Sequence, residues 1–220
     1  MLNVPEERGA RRDGRRPHFG PDTSTFYIAA WWIIRTAFEL FLGLRVEGGE
    51  NIPEEGGVIL ASNHVSYLDP PVIGVASPRE LSFLAKRELF KFPPFRALIS
   101  RLNAIPLDRS GAPRAALRKA IELLRSGKTV LLFPEGTRSR TGALGEARAG
   151  VGMISVATGL PVIPVYVEGT GKLLGALLGI KGVRVRFGAP MFPHRIPGAR
   201  KDRYRHLSEQ VMQEISKLKT

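Results

Sequence analysis

VILASNHVSYLDP, residues 58–70, changes character halfway along. Val58 to Ser62 form a short apolar run of the kind that makes a buried strand. A polar loop follows, and from Pro70 the pattern becomes helical, opened by Ser66-x-x-Asp69, which has the form of a capping box. The stretch therefore reads as strand, loop, helix. In open α/β sheets sites collect in the loops at the carboxyl ends of strands, and His64 and Asp69 fall in such a loop. Five residues apart, the two side chains would diverge by ~140° on an ideal helix, so they meet only if His64 lies in the loop. Asp69 has two readings, helix cap or partner of an imidazole. His64 likewise reads either as a satisfied polar residue at a strand end or as a base.

The same alternation extends outward from this stretch. Further strands are expected at 81–85, 103–107, 129–133, 161–167 and 183–187. Helices are expected at 70–76, 90–102, 113–125, 145–157 and 203–218. This predicts an α/β fold, a single domain over residues 45–220 with a largely parallel mixed sheet flanked by helices. The loops after the strands carry the chemistry: Lys86 and Arg87, Asp108 and Arg109, and then Glu135, Gly136, Thr137, Arg138, Ser139 and Arg140. A neutral imidazole oriented by a carboxylate is a general base. No G-x-S-x-G elbow presents Ser66 as its nucleophile, so the simpler target is a hydroxyl of the substrate. Arginines suit a phosphate, which they bind bidentately. Phe133 to Gly136 also reads as no more than a tight turn.

Composition removes several classes. The 220 residues include no cysteine, which excludes disulfides, thiolate metal sites and a cysteine nucleophile. Histidine occurs four times, and His18, His194 and His206 lie outside the strand-end set with no ligand spacing, so no metal is expected. Lys plus Arg outnumber Asp plus Glu by 33 to 20, a net charge of +13 that attracts polyanions: nucleic acid, an anionic membrane surface or phosphorylated small molecules. The excess concentrates between Arg79 and Lys119, where ten basic residues face three acidic ones, Glu80, Glu88 and Asp108. Basic residues there are not interleaved with stacking aromatics, and no nucleic-acid motif accompanies them, so nucleic acid is an unlikely partner on this reading.

Residues 1–24 read as a disordered basic arm. No small-residue cleavage site follows the next apolar run, so a secretory signal is not expected. That run, assigned to a membrane-associating helix over residues 25–44, approaches the ~20 residues that cross a bilayer. Arg35 and Glu39 sit in its middle, which is costly for a lone span. A helix lying in the interface, with Trp31 and Trp32 near headgroup level, fits better, and packing on the protein's own core is the alternative.

Four blocks in order carry a family resemblance: NHVSYLDP, LNAIPLDR, FPEGTRSR and PVIPVYVEGT. A lone H-x-x-x-x-D would be weak, but its succession by FPEGTRSR and VIPV is specific. From about Leu44 to Gly188 the chain resembles the 1-acyl-sn-glycerol-3-phosphate acyltransferases (lysophosphatidic acid acyltransferases). The resemblance implies acyl transfer from acyl-CoA or acyl-carrier protein to a lysophospholipid hydroxyl, giving phosphatidic acid, without a covalent acyl-enzyme or a bound cofactor. It implies that His64 is the general base and Asp69 its orienting partner. Arg109, Glu135, Gly136, Thr137 and Arg138 would bind the acceptor, with Arg109 and Arg138 on its phosphate. Pro164 would be structural or line the acyl region. Lys86 and Arg87 join these as auxiliary anion contacts on the strength of their position alone. The expected location is the cytoplasmic face of the membrane, peripheral or monotopic. The motifs specify the chemistry better than the acceptor, and a lyso-ornithine lipid or glycan lipid is the competing one.

Overall fold

The computed structural model describes residues 17–107, 113–139, 141–172, 182–196 and 199–219. Seven strands form one sheet: β1 (Arg45–Glu47), β2 (Val58–Ser62), β3 (Leu81–Lys86), β4 (Ala104–Leu107), β5 (Thr129–Leu132), β6 (Val162–Glu168) and β7 (Arg184–Phe187). Their spatial order is β1-β7-β6-β2-β5-β3-β4. Every pairing is parallel except β6 with β7, so the sheet is mixed and largely parallel, as expected.

β2 is central, with Leu60 paired to Leu131 of β5 and to Ile163 of β6. All five of its residues are buried, because helices cover both faces of the sheet. Successive side chains of a strand point to opposite faces. Val58 and Leu60 accordingly enter one core, with Tyr27, Trp31, Val72 and Ile73. Ile59 and Ala61 enter the other, with Leu124, Ile154, Leu207 and Ile215. The first core lies under helices α1 (Thr25–Leu42) and α2 (Asp69–Ala76); the second lies under α4 (Pro113–Arg125), α5 (Gly150–Thr158) and α6 (Arg200–Lys217). α3 (Pro93–Arg101) flanks the β4 edge.

α1 divides its surface between two environments. Ser24 caps it by accepting from Tyr27 N, and Gly43 ends it in the left-handed region at φ 57°, where a side chain would be strained. One face is docked. Tyr27 and Trp31 are buried, Trp31 Nε1 donates to Gly74 O at 3.1 Å, and the Leu81 amide donates to the Tyr27 hydroxyl at 3.0 Å. Arg35 donates to Val75 O at 2.9 Å and pairs with Glu39, so the mid-helix charges are spoken for on the docked side. The other face presents Trp32, Ile33, Leu40 and Phe41 outward. The core-packed reading thus holds for one side of the helix, and Trp31, expected beside Trp32 near headgroup level, lies on that docked side because its indole N–H is satisfied by Gly74 O. Residues 17–24 pack nearby: Phe19 meets Tyr27 and Trp31 edge-on, and Thr23 donates to Glu80 at 3.0 Å. Residues 1–16 lie outside the described residues.

Beyond shifts of one to three residues elsewhere, two helix starts and one strand differ from expectation for identifiable reasons. α3 begins at Pro93 rather than Phe90, because a residue before proline is pushed to extended backbone, and Phe92 sits at φ −89°, ψ 111°. α5 begins at Gly150 rather than Gly145, because the intervening loop is tied back: Gly145 N donates to Glu135 and Arg148 N donates to Pro134 O. β1 was not anticipated; its three residues carry one apolar side chain, too little to signal a strand without its partner β7.

Burial pushes the Tyr27 phenol up to about 12 from its ordinary 10.0, so docked α1 favours the neutral form. That contribution is complete below pH 10.0 and is lost as pH rises through about 12. Tyr27→Phe leaves the Leu81 amide without its acceptor and should cost about 1–3 kcal/mol, read as a lower urea midpoint at unchanged slope.

Candidate active site

The site begins where β2 leaves the sheet. Asn63 is buried, and its side chain acts as one more rung of the ladder to β6, donating to Val167 O at 2.9 Å and accepting from Val167 N at 2.8 Å. The backbone can therefore turn away while the end of β6 stays satisfied. His64 follows in the loop, as its pairing with Asp69 requires.

His64 is held on every side but one. Its amide donates to Glu135 Oε1 at 3.3 Å and its carbonyl accepts from Ser139 N at 2.7 Å. Its ring stacks on Phe133, with centroids 3.8 Å apart and planes at 15°. Its Nδ1 lies 2.8 Å from Asp69 Oδ2.

Asp69 is the first residue of α2 and is fully buried. Oδ2 also accepts from the amides of Val65 at 2.7 Å and Ser66 at 2.8 Å, while Oδ1 accepts from the Thr170 hydroxyl at 2.6 Å. The carboxyl group serves only as an acceptor, so in the neutral imidazole the proton belongs on Nδ1 and the lone pair on Nε2. The capping question resolves into both answers. The residue preceding α2 is Leu68, which offers no side-chain cap, and the Asp69 carboxylate satisfies the loop amides just ahead of the helix instead. Ser66 Oγ accepts from Leu68 N at 3.2 Å.

The third block closes over this loop. Glu135 is buried, and its two oxygens hold His64 N and Gly145 N, which makes it a brace between backbone segments. Gly136 has φ 71°, a backbone conformation that favours glycine, and a Cβ there would also crowd the Arg148 side chain at 3.0 Å. Thr137 and Arg138 are exposed, and the Arg138 guanidinium lies 3.5 Å over the Tyr67 ring, joining the third block to the first. Thr137, Arg138 and Arg148 help line an open groove. A small apolar cleft of about 50 Å³ lies between α1 and α2, lined by Tyr27, Trp31, Ile34, Pro70, Pro71 and Phe83 among others. Pro70 directly follows Asp69.

Lys86 ends β3 and Arg87 opens the 3₁₀ turn after it; both are exposed, and β5 stands between their strand and β2. They share the sheet edge with His64 but stand to one side of it. Arg109 lies outside the described residues, as do Asp108 and Arg140. Among the described residues, no group of three His, Asp or Glu side chains converges as a metal set. Reading the sequence missed Asn63 and Phe133 as supports of His64, and Thr170 and Arg148 entirely. Thr170 had one signal, its place at the end of the fourth block beside β6.

Thr170→Val should strand a buried carboxylate oxygen and cost about 1.5–3 kcal/mol of stability, recovered by Thr170→Ser. Chemical denaturation of the three proteins checks this; equal midpoints would contradict it.

Residues 43–168 match the family model described as Acyltransferase. The 1-acyl-sn-glycerol-3-phosphate acyltransferase LPAT1, chloroplastic, of Arabidopsis thaliana is 33% identical over 152 residues, 67% of this chain and 42% of that protein. The 1-acyl-sn-glycerol-3-phosphate acyltransferase of Bacillus subtilis is 28% identical over 182 residues, 80% of this chain and 88% of its own length. The chain spans half or less of the plastid relatives it matches. Among solved structures, the 1-acyl-sn-glycerophosphate (LPA) acyltransferase PlsC from Thermotoga maritima superposes with a TM-score of 0.70 at 32% identity, covering 88% of this chain and 80% of that one. With H-x-x-x-x-D at the end of the central strand and the family model covering residues 43–168, this chain belongs to the Acyltransferase family.

Proposed function

We propose that the chain is an O-acyltransferase that moves a fatty acyl group from acyl-CoA or acyl-carrier protein to the free hydroxyl of lysophosphatidic acid, giving phosphatidic acid. One observation carries the reading: His64 has Nδ1 locked on a buried carboxylate and its backbone pinned on both sides, which leaves Nε2 as the one open hydrogen-bonding atom of the residue.

The chemistry follows from that atom. Nε2 accepts the proton of the acceptor hydroxyl as its oxygen attacks the thioester carbonyl carbon. The Asp69 carboxylate stabilises the imidazolium that forms. The tetrahedral intermediate then collapses, the carbon–sulfur bond breaks, and the imidazolium returns its proton to the departing thiolate. The hydroxyl attacks directly, so no acyl-enzyme is needed; of the two serines equally near His64 in sequence, Ser62 Oγ donates to Asn63 O and Ser66 Oγ accepts from Leu68 N. The arginines answer the phosphate. Arg138 and Arg148 line the open groove beside the third block, and Arg109, with Lys86 and Arg87 further along the edge, adds positive charge. Glu135 and Gly136 act on the acceptor indirectly, by shaping the loop that carries Thr137 and Arg138. The apolar cleft beside Pro70 suits an acyl chain.

On this reading the protein lies on the cytoplasmic face of the membrane, peripheral or monotopic. By length and composition α1 could cross a bilayer, but three polar contacts fasten its inner face to α2 and β3. Spanning would strip those groups of their partners in hydrocarbon, whereas lying in the interface keeps them and buries only the outer face.

His64→Ala should lower transfer by at least about 10²-fold in a protein that remains folded at the assay temperature, with a lowered thermal midpoint because Asp69 loses one donor. Retained turnover would sink the proposed role. Purified protein offered lysophosphatidic acid, glycerol 3-phosphate and lyso-ornithine lipid, each against labelled acyl-CoA and acyl-carrier protein, should prefer lysophosphatidic acid; preference for another acceptor would move the assignment to that lipid.

A further inference from the structure

α3 carries a feature that the transfer chemistry does not use. Its apolar residues form a stripe at helical spacing, Phe95, Leu98, Ile99 and Leu102, preceded by Phe92. Such a stripe ordinarily faces the core. Here only Ile99 is buried within the helix, against Ala85 and Ala104, and Leu102 at its end lines the apolar cleft. Phe92 is 65% exposed, and Phe95 and Leu98 stand out beside it. Large apolar side chains left outside in one segment mark an interaction surface.

The charge around them is one-sided. From residue 86 to 101 the basic side chains are Lys86, Arg87, Lys91, Arg96 and Arg101, against Glu88 as the only acid. The segment also joins α1: the Arg101 guanidinium lies 5.2 Å over the Phe26 ring, and Leu102 shares the cleft with Tyr27, Trp31 and Ile34 of that helix. Exposed aromatics and leucine set among lysines and arginines are the composition of a helix that lies in a membrane interface and favours anionic lipid.

We infer that α3 and the turn before it form a second membrane-docking element, whose partner is a bilayer containing anionic lipid. Phe92, Phe95 and Leu98 enter the acyl boundary while Lys91, Arg96 and Arg101 meet the headgroups. The apolar cleft between α1 and α2 reaches Leu102, the residue that closes α3, so both lipid-seated elements border it, and a chain can pass between membrane and site without crossing water. An acidic protein would meet the same charges, but continuity with the apolar outer face of α1 favours the bilayer.

The inference takes its motive from the proposed lipid chemistry, yet its test does not depend on turnover. The full chain is floated with vesicles of phosphatidylcholine containing phosphatidylglycerol and with vesicles of phosphatidylcholine alone. Phe92→Ser combined with Phe95→Ser should lower partition into the mixed vesicles by at least about tenfold. Lys91→Glu combined with Arg96→Glu should remove the preference for mixed over neutral vesicles. Both variants should keep the wild-type thermal midpoint and, with a short-chain acceptor in monomeric solution, the wild-type rate. Wild-type partition of the phenylalanine variant would overturn the inference, and a raised KM for acyl-carrier protein alongside it would assign the face to an acidic protein. Loss of the midpoint together with binding would also overturn it, by making these residues structural. A wild-type protein that binds vesicles but transfers no acyl group would sink the proposed activity and leave this inference standing.

Discussion

The Asp69 carboxylate accepts four hydrogen bonds while fully buried, and the rest of the site is arranged around that fact. Taking a carboxylate out of water costs several kcal/mol unless donors replace the hydration shell. Here the donors come from four different residues: the His64 ring, the loop amides of Val65 and Ser66, and the Thr170 hydroxyl from the segment after β6. One buried group therefore sets the tautomer of the imidazole, the path of the loop, the start of α2 and the position of the chain beyond β6. Helix capping and ring orientation are not rival roles for such a residue. They are the two halves of satisfying it.

The sheet supplies what a loop alone could not. His64 leaves the sheet from the central strand, whose neighbours on both sides are parallel and fully covered, so its anchor point has little freedom. Asn63 continues the pairing with β6 by its side chain, and Glu135 and Ser139 grip the His64 backbone from the loop after β5. A base that need not reorganise as charge develops on it is the general requirement for this kind of catalysis. The groups that would meet substrate, Thr137, Arg138 and Arg148, are in contrast exposed and lie on irregular backbone, where a site can adapt to its ligand.

Much of this was legible before any coordinates. Continuous apolar runs separated by helical patterns specify a covered, largely parallel sheet, and strand ends then point to the candidate site. What escaped was whatever depends on partners distant in sequence. β1 has one apolar residue and exists because β7 lies beside it. The late start of α5 follows from two amides tied to Glu135 and Pro134, which no local pattern encodes. Thr170 lies 101 residues from Asp69, and only the closed sheet brings them together. The family resemblance implies an acceptor role for Glu135; that its oxygens also hold the backbone of His64 and Gly145 is not encoded in its own block. α1 suits an interfacial or a core-packed helix by sequence; one face packs on the core and the other leaves Trp32, Ile33, Leu40 and Phe41 exposed, a division set by the distant partners α2 and β3.

The role proposed for His64 requires that Asp69 hold the proton of the neutral ring on Nδ1 and leave Nε2 free to take another. Nitrogen-15 NMR of the selectively labelled His64 ring tests it directly, at a pH where the imidazole is uncharged. The account predicts a protonated, pyrrole-like Nδ1 and an unprotonated, pyridine-like Nε2, with that preference lost in Asp69→Ala. A ring protonated on Nε2 in the wild-type protein would contradict it, since the atom assigned to the substrate hydroxyl would then have no lone pair to offer.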